Sequence, residues 1–289
     1  MKSFRLVTVL YYSKRHMEKK MKTITMATLK GGAGKTMNVY NIAGTLSEMG
    51  KRVLLLDCDP QANLSQDVGI DITRRNVYTV KDIFENTPKL QPSVDRIIIK
   101  HPIPELPTLD IIPSDIYLFG TEQKLFMRGD KERVLQKYIE QNKEYLEANY
   151  DYIFADLNPS MSLVNKNTLL VSDEIIMCSD ISANSINGCN LFCELWDATR
   201  EELGYTEDHI SALIISNYSA NSNLAKDLVE YINSDPALKD IVLPTIISTT
   251  VALKQTETAH KPINILNPKS KAAQQYRALV EDLKEREIL

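Results

Sequence analysis

No apolar stretch in these 289 residues is long enough to cross a bilayer. The best candidate, residues 6–12, falls far short of the roughly 20 residues a spanning helix requires. No small-residue cleavage site follows it, which argues against a secretory signal peptide. Cysteine is scarce. Cys58, Cys178, Cys189 and Cys193 show no C-x-x-C spacing, so neither a zinc ribbon nor a disulfide framework is expected, and a reduced cytoplasmic protein fits best. Positive charge is not in excess either: 34 Lys and Arg face 38 Asp and Glu, a net charge of −4. Contact with nucleic acid would therefore have to come from a local patch, such as one completed only in a dimer. No Ser/Gly/Pro-rich linker, low-complexity tract or internal repeat divides the chain. The simplest expectation is a single domain over residues 21–289, preceded by a loosely ordered basic leader, residues 1–20.

What is present centres on Lys30-Gly31-Gly32-Ala33-Gly34-Lys35-Thr36. An apolar run reading as a strand, residues 21–29, precedes it, and a helical stretch to about Met49 follows. A glycine-rich turn between strand and helix gathers backbone N–H groups at the positive end of a helix dipole, which suits a polyphosphate. In such a loop Lys35 reaches the outer phosphates and the Thr36 hydroxyl holds magnesium. The usual phosphate-binding loop begins with a glycine where this chain has Leu29, and Lys30 has no role in that usual pattern.

From Met21 onward strand-like and helix-like stretches alternate. This predicts an α/β fold, a doubly wound and mostly parallel sheet with helices on both faces. Residues 53–56, 94–100, 151–155, 174–177 and 212–215 read as strands, and residues 79–85 and 130–149 as helical. Two strands end in carboxylates. Residues 53–56 lead to Asp57 and Asp59, two positions apart and on one face if the strand continues that far. Residues 151–155 deliver Asp156, whose burial would be costly without a nearby cation, so a magnesium ligand is expected there.

The loop at Lys30–Thr36, the block Asp57-Cys58-Asp59-Pro60-Gln61-Ala62-Asn63 and the run Asp156-Leu157-Asn158-Pro159-Ser160 together resemble the ParA/MinD family of P-loop ATPases with a deviant Walker A box. The Asp-Pro-Gln block favours the ParA/Soj branch, and the tail around Tyr276 is similar to the C-terminal helix of ParA proteins. The resemblance implies an ATP-binding set of Lys30, Gly31, Gly32, Ala33, Gly34, Lys35, Thr36, Met37 and Asn217. It implies Thr36, Asp57 and Asp156 around Mg2+, and Lys30, Lys35 and Asp59 as the catalytic residues. Asp59 would orient the attacking water, and Lys30 would cross a dimer interface to the nucleotide of the other subunit. Where the family usually carries two prolines after the Walker B aspartate, this chain has Asn158 and Pro159.

The implied activity is slow, partner-stimulated ATP hydrolysis by an ATP-dependent homodimer, cytoplasmic and associated with the nucleoid in the ATP state. It would bind non-specific DNA and drive plasmid or chromosome partition with a ParB-like centromere-binding protein. Candidate DNA contacts are Lys254, Lys261, Lys269, Lys271 and Arg277, although Thr249 and Ala252 stand where arginines are common in the family. A MinD-like membrane-positioning ATPase is one alternative, but the tail carries Glu281, Asp282, Glu285 and Glu287, which anionic lipid would repel, so no stable membrane insertion is expected. A ParA-like ATPase positioning a protein cargo is another.

Overall fold

The computed structural model describes residues 21–73, 77–218, 230–236 and 238–289. The basic leader expected at residues 1–20 lies outside the described residues. Seven strands form one sheet in the order β3-β4-β2-β5-β1-β6-β7. They are β1 (Lys22–Ala27), β2 (Val53–Cys58), β3 (Ile99–Lys100), β4 (Leu109–Ile112), β5 (Tyr152–Leu157), β6 (Glu174–Ser179) and β7 (Ile210–Ile215). All pairings are parallel except that of β3 with β4. The chain adds β2 and β4 on one side of β1, inserts β5 between β1 and β2, then crosses to add β6 and β7 on the other side. A crevice at such a reversal is where open α/β sheets gather ligand groups.

Both faces of the sheet are buried, as the unbroken apolar strands require. Along β2, Leu54 and Leu56 join one core while Val53 and Leu55 join the other. The first core is closed by α3 (Val80–Glu85), α5 (Leu118–Phe126), α6 (Val134–Gln141), α8 (Leu163–Leu170) and α9 (Ala183–Leu203). The second is closed by α1 (Lys35–Glu48), α10 (Val251–Ala259), α11 (Ile263–Leu266) and α12 (Lys271–Glu285). Short helices α2 (Asn63–Asp67), α4 (Val94–Ile97) and α7 (Lys143–Asn149) complete the connections. The apolar stripe expected within residues 130–149 is split between α6 and α7, with Val134 and Tyr138 buried and Tyr145 packed against that core.

One strand expectation fails. Residues 94–100 are not a continuous strand: α4 comes first, and only Ile99–Lys100 pair with β4. Val94, Ile97 and Ile98 stand at i, i+3 and i+4, so all three reach the core from a helical turn. The two-residue β3 is held by Lys100, whose Nζ donates to Asp110 Oδ2 at 2.9 Å and to Tyr150 Oη at 2.6 Å. At the opposite side of the sheet, the segment 241–249 runs along β7 and exchanges backbone hydrogen bonds with Leu213, Ile215 and Tyr218.

Helix α1 is clamped from the C-terminal part of the chain. Asn41 Oδ1 accepts from the Ile263 amide at 2.8 Å, and Asn264 Nδ2 donates to the Gly44 carbonyl at 3.0 Å. A Cβ at Gly44 would lie 2.6 Å from Pro262 Cγ and 2.7 Å from its Cβ. Gly44→Ala should therefore destabilise the protein although alanine favours a helix. The propensity gain of about 1 kcal/mol is outweighed by overpacking of about 1–3 kcal/mol. Chemical denaturation of the two proteins checks this; equal or greater stability of the variant would contradict the clamp.

Candidate nucleotide and metal site

The loop joining β1 to α1 is shaped by two left-handed glycines, Gly32 at φ 77° and Gly34 at φ 91°. Gly34 also needs to lack a side chain, because a Cβ there would sit 3.1 Å from Ser216 Cβ. Helices α8, α9, α10 and α12 each begin with a Ser or Thr oxygen accepting an amide of the first turn. Helix α1 begins on Gly34 with no side-chain cap. Its first-turn N–H groups thus face the loop hollow, with the helix dipole behind them, an arrangement suited to phosphate oxygens.

The loop is braced from below and from the side. Asn38, on the first turn of α1, donates from Nδ2 to Ser216 Oγ at 2.9 Å and accepts at Oδ1 from Tyr276 Oη at 3.0 Å. Asn217, itself in the left-handed region at φ 54°, donates from Nδ2 to the Gly32 carbonyl at 3.1 Å. The structure therefore brings Asn217 to the loop. Met37 is half-buried against the second core, with its sulfur 3.1 Å from Asn41 Nδ2. Lys30 reaches across to the turn after β6, with Nζ 3.4 Å from Ser182 Oγ and 3.8 Å from Asp180 Oδ2.

Asp57 and Asp156 are register partners on β2 and β5, and both are fully buried. Burial is the main cause that pushes the Asp156 carboxyl up to about 8. The neighbouring Asp57 adds to it, against the opposing pull of the Thr36 hydroxyl bond and the Lys35 charge. Asp57 is raised to about 6, again chiefly by burial, and its bonds from Ser65 and the Asp59 amide resist the rise. Ser65 donates both its amide (2.9 Å) and its hydroxyl (2.7 Å) to Asp57 Oδ2, and the Asp59 amide donates to Oδ1 at 3.1 Å. Strand β2 ends at Cys58, so Asp59 stands beyond it, and its Oδ1 accepts the Gln61 amide at 2.8 Å.

These residues fit a divalent cation. Thr36 Oγ1 donates to Asp156 Oδ2 at 2.6 Å, while Asp156 Oδ1 is buried with no hydrogen-bond partner. A buried carboxylate oxygen without a donor is costly, and a hard cation with its water shell would answer it. Asp57, whose oxygens are engaged by Ser65 and Asp59, would act from behind this pair. A separate groove of about 620 Å³ lies between α5 and α8, lined by Glu122, Phe126, Met161, Leu163 and Lys166 among others.

The candidate DNA residues differ in their surroundings. Lys261 is ion-paired with Glu105, and Arg277 pairs with Glu48 while donating to the Pro268 carbonyl at 2.8 Å. Lys254, Lys269 and Lys271 are exposed. Sequence reasoning missed Asn38, Ser65, Ser216 and Glu122. Asn38, Ser216 and Glu122 find their partners far away along the chain, whereas Ser65 bonds to Asp57 eight residues before it; none of the four belongs to a short motif.

A phosphate-binding loop at the switch point of a doubly wound sheet, with carboxylates at two neighbouring strand ends, defines a P-loop nucleotide-binding domain. A family model for such a domain (AAA_31, an AAA domain) matches residues 21–212. The sporulation initiation inhibitor protein Soj of Bacillus subtilis is 30% identical over 263 residues, covering 91% of this chain and 98% of Soj. The chain belongs to the ParA/Soj family of P-loop proteins. Among solved structures, a putative plasmid partition protein of Borrelia burgdorferi bound to AMPPNP superposes with a TM-score of 0.73 at 25% identity, covering 92% of this chain and all of that one. McdA of Cyanothece in complex with ATP gives a TM-score of 0.76 at 21% identity, covering 92% and 97%, a likeness of fold.

The two raised carboxyls make a pH prediction for the metal-free protein. Each holds its proton to higher pH in the folded state than in the unfolded chain. Their stabilising contribution is therefore complete below about pH 4 and is lost as pH rises through about 6 and then about 8. Stability without metal should fall across that window, and Asp156→Asn should flatten its upper part. Added magnesium should flatten it in the parent but not in Asp156→Asn. Denaturation at stepped pH, with and without magnesium, provides the check.

Proposed function

We propose that this chain is an ATP-dependent dimerising ATPase that binds non-specific DNA and drives plasmid or chromosome partition with a ParB-like centromere-binding partner. Family membership supports nucleotide hydrolysis in general, and ATP with Mg2+ is the reading the site favours. The observation that carries it is the pairing of an uncapped α1 with a buried, half-unsatisfied Asp156 beside Thr36. The loop amides and Lys35 hold the phosphates, and Thr36 with Asp156 would hold magnesium, which supplies charge neutralisation of the phosphate oxygens. Asp59, at the mouth beyond β2, orients the attacking water, and Asp57 keeps Asp59 in place through its amide.

Lys30 adds positive charge where negative charge spreads in phosphoryl transfer, and in this reading it does so for the nucleotide of the second subunit. ATP then joins two subunits and hydrolysis releases them, so that DNA affinity follows the nucleotide state. The exposed Lys254, Lys269 and Lys271 favour sequence-independent contact to phosphates, while Lys261 and Arg277 are tied to carboxylates of this chain. The membrane alternative loses support from α12. Its apolar face, Tyr276, Leu279, Val280 and Leu283, is buried in the second core and so is not free to enter lipid.

Three substitutions separate the assigned roles. Lys35→Ala should weaken ATP binding on the order of 100-fold. Lys30→Ala should bind ATP but neither dimerise nor hydrolyse it, and Asp59→Ala should dimerise with ATP and stay dimeric. Nucleotide affinity, light scattering and phosphate release distinguish them; a Lys30→Ala protein that dimerised and turned over normally would remove the two-subunit mechanism.

Unrelated duplex DNA should be bound with ATP but not with ADP, and raised salt should weaken the complex. Mobility shifts test this. Equal binding in both nucleotide states would end the switch, and no binding in any state would favour a protein cargo.

A further inference from the structure

The segment that follows Asp156 is held by groups that no motif contains. Asn165 on α8 donates from Nδ2 to the Asn158 carbonyl at 2.9 Å and to the Ser160 carbonyl at 2.7 Å, gathering the loop onto the helix. The helix in turn is fixed by Glu122 of α5. Glu122 Oε2 accepts the Leu163 amide and Oε1 the Val164 amide, both at 3.0 Å. Ser162 Oγ accepts the Asn165 amide at 3.2 Å. Two of the three first-turn amides of α8 thus depend on a side chain from another helix, 41 and 42 residues away in sequence.

Helix α5 is also tied to the other carboxylate. The Ser114 amide, at the end of the turn that leads into it, donates to Ser65 Oγ at 2.9 Å, and Ser65 is the residue that holds Asp57. The stretch from Ser114 to Glu122 therefore touches the supports of both Asp57 and Asp156. Tyr117 and Phe119 on this stretch are exposed, as are Phe126 and Met127 at the C-terminal end of α5.

We propose that Glu122 is a positioning residue for the hydrolytic step: its carboxylate fixes the start of α8, and through it the loop 158–162 beside Asp156. A carboxylate is suited to this task because it offers two acceptors to two adjacent N–H groups at the positive end of a helix. Removing it frees both amides and releases the loop 158–162 from its place beside Asp156, whose carboxylate would hold the cation that neutralises the phosphates. Glu122 lines an open groove and is only half-buried, so its replacement leaves the cores intact.

The inference rests on the ATPase reading, and its test separates the two. Glu122→Ala and Glu122→Gln are compared with the parent for kcat, KM for ATP, ADP affinity, melting temperature and amide hydrogen exchange. Glu122→Ala is expected to lower kcat roughly tenfold, with KM and ADP affinity changed by less than about threefold. Leu163 and Val164 amides should exchange faster while the rest of the fold is unchanged. Glu122→Gln, which keeps one acceptor, should recover part of the loss. An unchanged kcat in Glu122→Ala overturns the proposal. So does a loss of kcat that comes with an equal loss of ADP affinity and melting temperature, since that reports a structural role. If the parent itself does not hydrolyse ATP, the proposed function fails instead. Exchange at Leu163 and Val164 then decides alone: faster in Glu122→Ala upholds the cap, and unchanged overturns it.

Discussion

Two aspartates buried side by side on neighbouring strands are the constraint around which this molecule is arranged. Asp57 and Asp156 face each other in register between β2 and β5, cut off from water; burial raises the cost of ionising both, and the Asp57 charge adds to that cost at Asp156. Such a pair persists only where donors and positive charge converge on it. Ser65 and the Asp59 amide serve Asp57, whereas Thr36 and Lys35 serve Asp156. The topology follows from the same need: β5 must lie between β2 and β1 so that its terminal carboxylate meets the loop leaving β1.

The local sequence specified the parts whose physics is local. A glycine-rich turn, an apolar strand ahead of it and Lys-Thr behind it are visible within residues 21–36, and the structure assembles them as expected. Strand ends carrying Asp57 and Asp156 were legible for the same reason, since an acid closing an apolar run is an anomaly that calls for a cation. Asn217 was legible only through likeness to a family. Its left-handed backbone and its bond to Gly32 come from a turn that no pattern of spacing announces. The misread stretch at residues 94–100 shows the limit of periodicity, because a triplet of isoleucines suits a strand and also one helical turn next to a strand.

What remained hidden is the bracing. Tyr276, Asn38 and Ser216 form a chain of hydrogen bonds under the phosphate loop, yet Tyr276 and Asn38 lie 238 residues apart and Asn38 and Ser216 lie 178 apart. Each is an ordinary residue in its own neighbourhood. Only the closing of α12 onto α1 gives the tyrosine hydroxyl a partner, and the helix face that makes this contact is the apolar one that a lipid surface would require to be free.

The treatment of the two sheet margins has a consequence for assembly. An unpaired strand border is a template on which another chain can lay a strand of its own. Here β3 is two residues long, runs against its neighbour and is pinned by Lys100, while the far side of β7 is already occupied by the segment 241–249. Border-to-border annealing is therefore blocked at both ends of the described sheet. Copies that meet must do so through side chains and loops, contacts that a bound ligand can reverse, and not through a continuous ladder that would outlast it.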